Sequence, residues 1–417
     1  MNSRTEILYV SSTPDAAEFQ RIKDHLLPTA QPVTYGMAEA GFTFHSMIQR
    51  GLLENGCHVH SLVGRPVSHR FHRGRFWRRV RSNPEPGLSV DHLAFPNLRG
   101  IKQAWLAASF AVHARRWERR TRGATRRAMI VDGAYVSVMP GVLRSLRGSD
   151  VVALGLFADL YSYMADVTDA SRRKVTPVHA VARRAVAASR AMLDGYVVLT
   201  DLMADVVNPE GKPYIVMEGL VDVRDSQPEG KPPGKTPHPT VLYSGALRKE
   251  YGVETMLQGF QAWDEPTAEL VLFGQGSYAA EIAEIAEQDT RITYRGLASR
   301  SDLNEARRRA WLLVNPRPPD EEFTKYSFPS KVMEYLDSGT AVLTTRMPGM
   351  PSEYLDHVLT IDEPGPSGVA AALAKALAEG PDRLTQLGEG GRSFVREKKN
   401  NVHQAGRILD LVDTCAR

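Results

Sequence analysis

The sequence predicts an α/β protein of two domains that each hold a parallel sheet. The chain of 417 residues is longer than one ordinary hydrophobic core supports, and it suits two domains of about 200 residues each. Short apolar runs alternate along it with helical segments, as strands and helices do in parallel sheets. A polar segment with five prolines, residues 224–239, separates two such series and is interpreted as a linker.

The first series, residues 1–223, begins with a buried strand at residues 7–12. Residues 13–41 contain several prolines and glycines, which predict an irregular loop, and a helix is expected from 42 to 54. A long basic helix is expected near residues 101–120. Further strands are predicted at the runs HVHSLV, LSVDHLAF, AMIVD, VVALGLF and GYVVLT.

The second series, residues 240–399, repeats the alternation. Its strands are predicted at TVLYSGAL, AELVLFGQG, RITYRG and WLLV, with helices between them. Ligands of open α/β sheets bind beyond the carboxyl ends of the strands, so the loops that follow these runs are expected to carry a binding site.

The stretch from 323 to 345, FTKYSFPSKVMEYLDSGTAVLTT, carries the most specific chemistry. Pro329 suits the first position of a short helix, and Gly339 suits the position just past its end. Lys331 then lies in the first turn, where free N–H groups and the helix dipole attract an anion. Glu334 follows about 6 Å further along the axis, a separation similar to that between a diphosphate and the hydroxyls of a ribose. The helix is therefore predicted to bind a nucleoside diphosphate; the alternative is an amphipathic helix with a solvated Lys331 and Glu334.

The same stretch resembles the donor-site signature of glycosyltransferases with the GT-B fold. It is similar to that of the retaining family four, the glycosyl transferases group 1, through Phe328, Pro329, Ser330, Lys331, Glu334, Tyr335 and Gly339. The resemblance implies an α/β fold of two Rossmann-like domains with a cleft between them, and a final helix, about residues 400–417, that packs back on the first domain. It also implies transfer of a sugar from a nucleotide-diphosphate sugar to an acceptor hydroxyl, with retention and without a cofactor. Lys331 would act on the diphosphate and Glu334 on the ribose.

The resemblance extends to loops around the predicted donor site, with departures. Gly245 ends a strand and is followed by Arg248 and Lys249, which either face the donor or lie on the surface. Ala246 and Tyr251 stand where the family commonly has Arg and Lys. Tyr326 replaces a family glutamate near the sugar, which leaves the identity of the sugar open. The other candidates for donor binding are Gly274, Arg295, Leu297, Arg317, Lys325, Tyr326, Ser327, Phe328 and Ser330. Arg317 has an alternative role in a salt bridge to the acidic residues that follow it.

The first half offers fewer candidates. Asp159 follows a predicted strand and could orient or deprotonate the acceptor hydroxyl, or simply cap a helix. His45 could contact the donor or be a structural histidine, and Gly41 fits a loop near the diphosphate. No His–Asp pair suited to an inverting enzyme is recognised. No Asp-x-Asp metal motif follows a strand, so Lys, Arg and a helix dipole are expected to neutralise the diphosphate without a metal.

Charge is unevenly distributed. Residues 65–127 hold 16 Lys/Arg against three Asp/Glu, and HRFHRGRFWRRVR interleaves aromatic side chains with arginines. This block is either a solvated face or a surface for anionic lipid. No nucleic-acid-binding signature accompanies it, so nucleic acid is not an expected partner. Two distant cysteines and the lack of an apolar run or leader predict a cytoplasmic protein, associated at most peripherally with the membrane.

These observations favour a transferase of bacterial surface polysaccharide or glycoconjugate synthesis, with a saccharide or lipid-linked saccharide as acceptor. Two rival functions remain open at this point. One is a nucleotide-sugar epimerase of the same build, and the other is a non-catalytic partner that binds a nucleotide sugar or a true transferase.

Overall fold

Two parallel sheets organise the chain, one in each of two units. The computed structural model describes residues 4–27, 39–133, 135, 137–158, 160, 187–225 and 234–416, apart from the side chains of residues 39, 40 and 323. Unit 1 consists of Met1–Glu218 and Asn401–Arg417, and unit 2 consists of Gly219–Asn400.

The sheet of unit 1 has the strand order β10-β9-β8-β7-β1-β2-β5-β4. Its pairs are parallel except that β4 runs antiparallel to β5. The central strands are buried along nearly their whole length, because helices cover both faces of a sheet of this kind. The strands are β1 (Thr5–Ser11), β2 (His58–Val63), β4 (Val80–Glu85), β5 (Leu88–His92), β7 (Arg126–Asp132), β8 (Val152–Phe157), β9 (Gly195–Val198) and β10 (Tyr214–Val216), with β3 (Phe76–Trp77) and β6 (Phe95–Pro96) forming a separate antiparallel pair.

The helices of unit 1 include one that was not predicted. Ala16–Asp24 lies where an irregular loop was expected, so this part of the prediction was wrong. The sequence did contain a start signal for this helix, since Asp15 is a favourable N-terminal capping residue. In the structure, Asp15 caps the helix by accepting a hydrogen bond from the Glu18 backbone N–H. The other described helices of unit 1 are Glu39–Glu54, Ile101–Arg120, Met139–Leu146, Asp201–Val207 and Asn401–Cys415.

Unit 2 holds six parallel strands in the order β13-β12-β11-β14-β15-β16. Counted within the unit this is the order 3-2-1-4-5-6 of a dinucleotide-binding fold, whose ligands bind where the order reverses, between β11 and β14. The strands are β11 (Thr240–Ser244), β12 (Glu269–Phe273), β13 (Ile292–Tyr294), β14 (Leu312–Asn315), β15 (Ala341–Thr345) and β16 (Leu359–Ile361). The helices are Val253–Ala262, Ala279–Gln288, Arg300–Arg309, Ser330–Ser338, Gly365–Ala378 and Gly380–Lys398, with shorter 3₁₀ turns at Lys249–Tyr251, Glu322–Tyr326 and Ser352–Tyr354.

The two ends of unit 2 lie side by side. The Val221 N–H donates to the Lys399 carbonyl at 3.0 Å, and Val221 also bridges to Asn400. The chain then enters helix Asn401–Cys415, which packs against Glu39–Glu54 within unit 1. The carbonyl of Asn401 lies so close to Gly51 that a side chain on that glycine would collide with it.

Several arginines of the basic block serve as internal scaffold. The Arg65 side chain is buried and donates to the Leu93 and Arg78 carbonyls at 2.9 Å as well as to the Glu18 carboxylate. The ring of Trp77 is also buried, stacked on Phe95 and beneath Arg65. Trp77 is therefore a core residue and not part of a lipid-facing surface. Because Arg65 is buried in these contacts, it is not available to an external partner.

Candidate active site

The helix with the predicted donor signature spans Ser330–Ser338. Pro329 has extended backbone angles and precedes the helix, so the helix begins one residue later than predicted. Gly339 follows it with φ 77°, in the left-handed conformation expected of a C-terminal glycine. Val332 is buried, whereas Glu334 keeps 53% of its side chain exposed. The helix thus buries its apolar face and leaves Ser330 and Glu334 open.

Lys331 reaches from the first turn of this helix to the end of β11. Its Nζ donates to the Tyr243 hydroxyl at 2.7 Å and lies 4.4 Å from the centre of the Tyr243 ring. The Tyr243 hydroxyl in turn donates to the Ala246 carbonyl at 2.8 Å. Burial, and next the positive charge of Arg317, lowers the pKa of Lys331 to about 7. The ammonium is therefore held at the carboxyl edge of the sheet, beside the free N–H groups of the helix.

Two glycine turns bring the backbone close to Lys331. Gly245 has φ 149°, and a Cβ there would lie 2.0 Å from the Lys331 Cε and Nζ. Gly274 has φ 133°, and a Cβ there would lie 1.8 Å from the Gly245 carbonyl oxygen. Both positions need glycine, because a side chain would be strained and would collide. The G-x-G turn after β12 therefore supports the turn after β11.

Arg307 was not identified from the sequence, although it fixes Glu334. Its guanidinium donates to Ser244 Oγ at 3.0 and 3.1 Å and to Glu334 Oε2 at 2.7 Å. The Tyr335 hydroxyl completes the cluster by accepting from the Ser244 N–H at 2.9 Å. In the sequence, Arg307 stands in a run of three arginines that looks like a solvated helix face. Nothing local distinguishes it from its neighbours.

Arg317 lies at the point where the strand order reverses, just after β14. Its guanidinium stacks over the Tyr251 ring at 5.0 Å and is close enough to Lys331 to lower the pKa of that amine. Burial lowers the pKa of Arg317 itself. Tyr251 is one of three departures from the family pattern, with Ala246 and Tyr326, and the Arg317 guanidinium lies over this residue that replaces a family lysine.

Other predicted donor residues are oriented elsewhere. Lys249 pairs with Glu254 at 3.0 Å and with Glu281 at 2.8 Å, which matches its alternative as a surface residue. Lys325 pairs with Glu322 at 2.9 Å, and the Tyr326 hydroxyl lies 3.4 Å from the same carboxylate. The remaining positions are Arg248 and Ser327, both half-buried; Arg295 and Leu297, both exposed beyond β13; and Phe328, buried against Tyr354.

In unit 1, His45 lies in the helix Glu39–Glu54 and is buried between two polar partners. Its Nδ1 is 2.6 Å from the Tyr9 hydroxyl, and its Nε2 is 3.7 Å from Asp132 Oδ2. Burial lowers the pKa of His45, against the opposing effect of Asp132. This contact was not recognised from the sequence, because Asp132 at the end of β7 is far from His45 along the chain. Both ring nitrogens of His45 face protein groups.

Two further sequence candidates have a different status. Gly41 stands in the first turn of helix Glu39–Glu54 and not in the predicted loop, and no atom of the described residues lies within 4 Å of where its Cβ would be. Asp159 lies outside the described residues, and its role stays a prediction. Among the described residues, no cluster of three His, Cys, Asp or Glu could hold a metal ion. None of the described helices has the length and apolarity to cross a membrane.

Comparison with known proteins identifies the second unit by sequence. Residues 238–379 match the family described as Glycosyl transferases group 1. No curated protein matches the chain by sequence.

Solved structures match the fold over nearly the whole chain. A sucrose-phosphate synthase from Thermosynechococcus elongatus is 15% identical with a TM-score of 0.64, and the alignment covers 99% of this chain and 100% of that one. HepE of Anabaena, solved with UDP, is 9% identical with a TM-score of 0.59 and the same coverage. The catalytic domain of starch synthase IV from Arabidopsis thaliana, bound to ADP and acarbose, is 10% identical with a TM-score of 0.59 and the same coverage. These likenesses confirm the predicted GT-B fold with its two Rossmann-like domains.

Proposed function

We propose that this chain, whose residues 238–379 match the glycosyl transferases group 1 family, is a glycosyltransferase. It would move a sugar from a nucleotide-diphosphate sugar to an acceptor hydroxyl. The observation that carries the proposal is the position of Lys331. Its buried amine lies at a helix N-terminus, beside a glycine turn and at the carboxyl edge of a Rossmann-like sheet. The structures solved with UDP and with ADP are consistent with a nucleotide donor.

The leaving diphosphate gains negative charge as the bond from sugar to phosphate breaks. Lys331 and the N–H groups of the first turn of helix Ser330–Ser338 would stabilise that charge. Arg317 would add a second cation, since its guanidinium occupies the space over Tyr251. It thereby compensates for the loss of a family lysine at position 251. Because that cation is supplied from the loop after β14, the departure at Tyr251 does not argue for a non-catalytic protein.

Glu334 would accept the ribose hydroxyls of the nucleotide. Its carboxylate is half exposed, and the bond from Arg307 fixes one of its oxygens. The other oxygen would then be available on the exposed face of the helix, which also carries Ser330. A fixed carboxylate loses less conformational entropy on binding than a free one.

Replacing Glu334 with Ala is expected to weaken UDP or ADP binding by about 10- to 100-fold, the effect of losing hydrogen bonds to a charged acceptor. Calorimetric titration of the purified protein measures this. Pyrophosphate should bind the variant as well as it binds the unmodified protein, because it has no ribose. The melting temperature should fall only modestly, since the buried Arg307 loses one charged partner but keeps its bonds to Ser244.

A matched control is Glu305→Ala, which removes an exposed Glu–Arg pair from the same unit. Its UDP affinity should equal that of the unmodified protein. Equal UDP affinity in the Glu334→Ala and Glu305→Ala proteins would discard the ribose role.

Nucleotide release tests the overall function. The protein is incubated with each common nucleotide sugar without an acceptor, and free nucleotide is measured over hours. Slow release from one donor, accelerated by an acceptor saccharide, supports a transferase. Release of a free sugar that no acceptor accelerates supports the epimerase, and failure to bind any donor rejects both enzymes. Retention, which rests on the family resemblance, is tested by the anomeric configuration of the product in an NMR spectrum.

We further propose that the acceptor is a lipid-linked saccharide at an anionic membrane face, as in surface polysaccharide synthesis. An apolar patch on unit 1 supports this: Phe76, Leu98, Ile101 and Trp105 are 43–55% exposed. They lie together because β3 pairs with β6, and because the Trp105 indole N–H donates to the Ala94 carbonyl just before β6. Exposed arginines lie within three residues of the patch residues in sequence, among them Arg73, Arg75, Arg78 and Arg99. Aromatic side chains among cations suit the interface of an anionic bilayer.

Reversing the charge of Arg73, Arg75 and Arg78 to Glu should lower partitioning onto phosphatidylglycerol vesicles by at least about 100-fold, from roughly 1 kcal/mol per basic residue. Co-sedimentation measures the bound fraction. Arg79 is left unchanged because it makes a two-pronged pair with the buried Asp91. A second variant, Trp105→Ser, should weaken binding to the same vesicles without altering net charge.

The control carries the same charge reversals on unit 2, at the exposed Lys375, Arg383 and Lys398. It should sediment like the unmodified protein. If both triple variants lose binding equally, net charge explains the effect and the patch does not.

A further inference from the structure

Arg307 and Glu334 form an ion pair in which each side chain leaves one polar atom unused. Arg307 Nη2 donates to Glu334 Oε2 at 2.7 Å, whereas Oε1 of the same carboxylate makes no hydrogen bond within the described residues. Arg307 Nε and Nη2 donate to Ser244 Oγ at 3.1 and 3.0 Å, and its Nη1 makes no hydrogen bond in this part of the chain. The pair thus has a single bond, although arginine and a carboxylate frequently form two parallel bonds.

Both unused atoms are accessible to solvent. The Glu334 side chain is 53% exposed. The Arg307 side chain is 8% exposed, and its Nη1 is not one of the fully buried polar atoms that lack a partner among the described residues. A ligand can therefore contact the Nη1 donor and the Oε1 acceptor while the bond between the two side chains stays in place.

The planar shape of the guanidinium brings these two atoms to the same side of the pair. Because Nε and Nη2 share Ser244 Oγ, the Nη2 hydrogen that remains for Glu334 is the one beside Nη1. The N–H groups at this end of an arginine are fixed in a fork, so an Nη1 hydrogen runs parallel to the bond that Nη2 makes with Glu334. An unused donor therefore lies beside an unused acceptor.

The pair is also held in one orientation. The Arg307 guanidinium lies over the Tyr335 ring, 5.5 Å from its centre. The Tyr335 hydroxyl accepts from the Ser244 N–H at 2.9 Å and donates to the Ser244 carbonyl at 3.1 Å, and both Ser244 and Tyr335 are buried. Groups that are fixed before a ligand arrives lose little conformational entropy on binding.

An adjacent donor and acceptor match a hydroxyl group, which accepts one hydrogen bond and donates another. We propose that Arg307 is a specificity-determining residue whose Nη1 donates to the same ribose hydroxyl that donates to Glu334 Oε1. This inference rests on the proposed function, which places the ribose at Glu334. It makes the donor a ribonucleoside diphosphate sugar. A deoxyribose that lacks this hydroxyl is disfavoured, because it leaves two charged groups without a ligand partner.

Calorimetric titration of the full-length protein with UDP, ADP and GDP begins the test. The nucleotide that binds most tightly is then compared with its 2′-deoxy and 3′-deoxy forms. We expect one deoxy form to bind at least about tenfold more weakly, the effect of losing hydrogen bonds to charged groups. In Arg307→Gln, which removes the guanidinium fork, this preference should fall to about threefold or less.

A double variant separates a contact made by Arg307 from a role that only positions Glu334. The Glu334→Ala protein should keep a preference of about threefold, because Arg307 still donates to the hydroxyl. Adding Arg307→Gln should abolish that remaining preference. If the preference of the Glu334→Ala protein is the same with and without Arg307→Gln, Arg307 acts only through Glu334 and the proposal is overturned.

The matched control is Arg309→Gln, which removes an exposed arginine, paired with Glu305, from the same helix. Its preference should equal that of the unmodified protein, and an equal fall in Arg307→Gln and Arg309→Gln would contradict the assignment. Circular dichroism melting shows whether each variant is folded. If Arg307→Gln is not folded, Arg307→Lys takes its place with the same expected fall, since lysine keeps the charge but has no planar fork.

Failure of this inference and failure of the proposed function give different results. Equal binding of the nucleotide and of both its deoxy forms to the unmodified protein overturns the inference but leaves nucleotide binding intact. If UDP, ADP and GDP all fail to bind the unmodified protein, the proposed function is rejected and this inference with it.

Discussion

A Lys331→Met protein is expected to lose about 10²- to 10³-fold in kcat/KM for its nucleotide sugar, the effect of removing one preorganised group that stabilises developing charge. Methionine keeps the length of the apolar stem but supplies no charge to the leaving diphosphate. Lys331 is held in place by Tyr243 and by the glycine turn, so no other side chain can readily take over its position. The measurement is the initial rate of nucleotide release. A loss of less than about threefold would remove Lys331 from the reaction.

The pH dependence of donor binding provides an independent check. The pKa of Lys331 is lowered to about 7 in the free protein, whereas a bound diphosphate favours the protonated amine. Below pH 7 the amine is already charged. Above pH 7 binding must also protonate it, so affinity should fall as pH rises, by at most about tenfold per pH unit. Lys331→Arg keeps its charge throughout and should show a flat profile between pH 7 and pH 9; a slope equal to that of the unmodified protein would assign the titration to another group.

Replacing Gly245 with Ala is expected to reduce kcat/KM by about 10- to 100-fold while the protein stays folded. The new Cβ would lie 2.0 Å from the Lys331 Cε and Nζ, the far end of a flexible side chain that can move away. The displaced amine would leave Tyr243 and the path of the diphosphate. Positive φ adds strain of about 1–3 kcal/mol, which should appear as a lower melting temperature.

A double variant separates this effect from general damage. If Gly245→Ala acts by displacing Lys331, adding it to Lys331→Met should cost little further activity, because the two changes share one target. Fully additive losses would show that the glycine acts in another way. Gly234→Ala is the control, since it has open space around its Cβ position and a backbone that any residue adopts.

The sequence was most informative where chemistry is local. Lys331 and Glu334 lie in one short helix that Gly339 ends. Their spacing therefore predicted an anion-binding N-terminus, with a carboxylate one turn further along. The parallel strands were predicted as well, because buried strands read as continuous apolar runs. Residues 16–24 show the limit of this approach, since a Pro-rich context concealed a capped helix.

The parts that could not be predicted depend on contacts between distant segments. Arg307 meets Glu334, 27 positions later in the chain, because two helices flank the same strand end, with a strand and a loop between them in sequence. His45 meets Asp132 because β1 and β7 are neighbours in the sheet. Arg317 lies over Tyr251 because β14 and β11, the strands that precede these two residues, are neighbours in the sheet. In each case the two partners are far apart in sequence, and nothing beside either residue indicates the other. Only the fold of the sheet brings them together.

The adjacent ends of unit 2 have a consequence for how such proteins diversify. Because Val221 pairs with Lys399 and Asn400, the chain enters and leaves this unit at one place. Unit 2 is thus inserted into unit 1, and its two boundaries lie next to each other. Recombination at these boundaries is tolerated because it leaves the hydrophobic cores of both units intact. Exchanging residues 219–400 between relatives would transplant Lys331, Glu334, Arg307 and Arg317 as one cassette. Under the proposed function, the donor-binding residues can then change together by exchange of one contiguous segment.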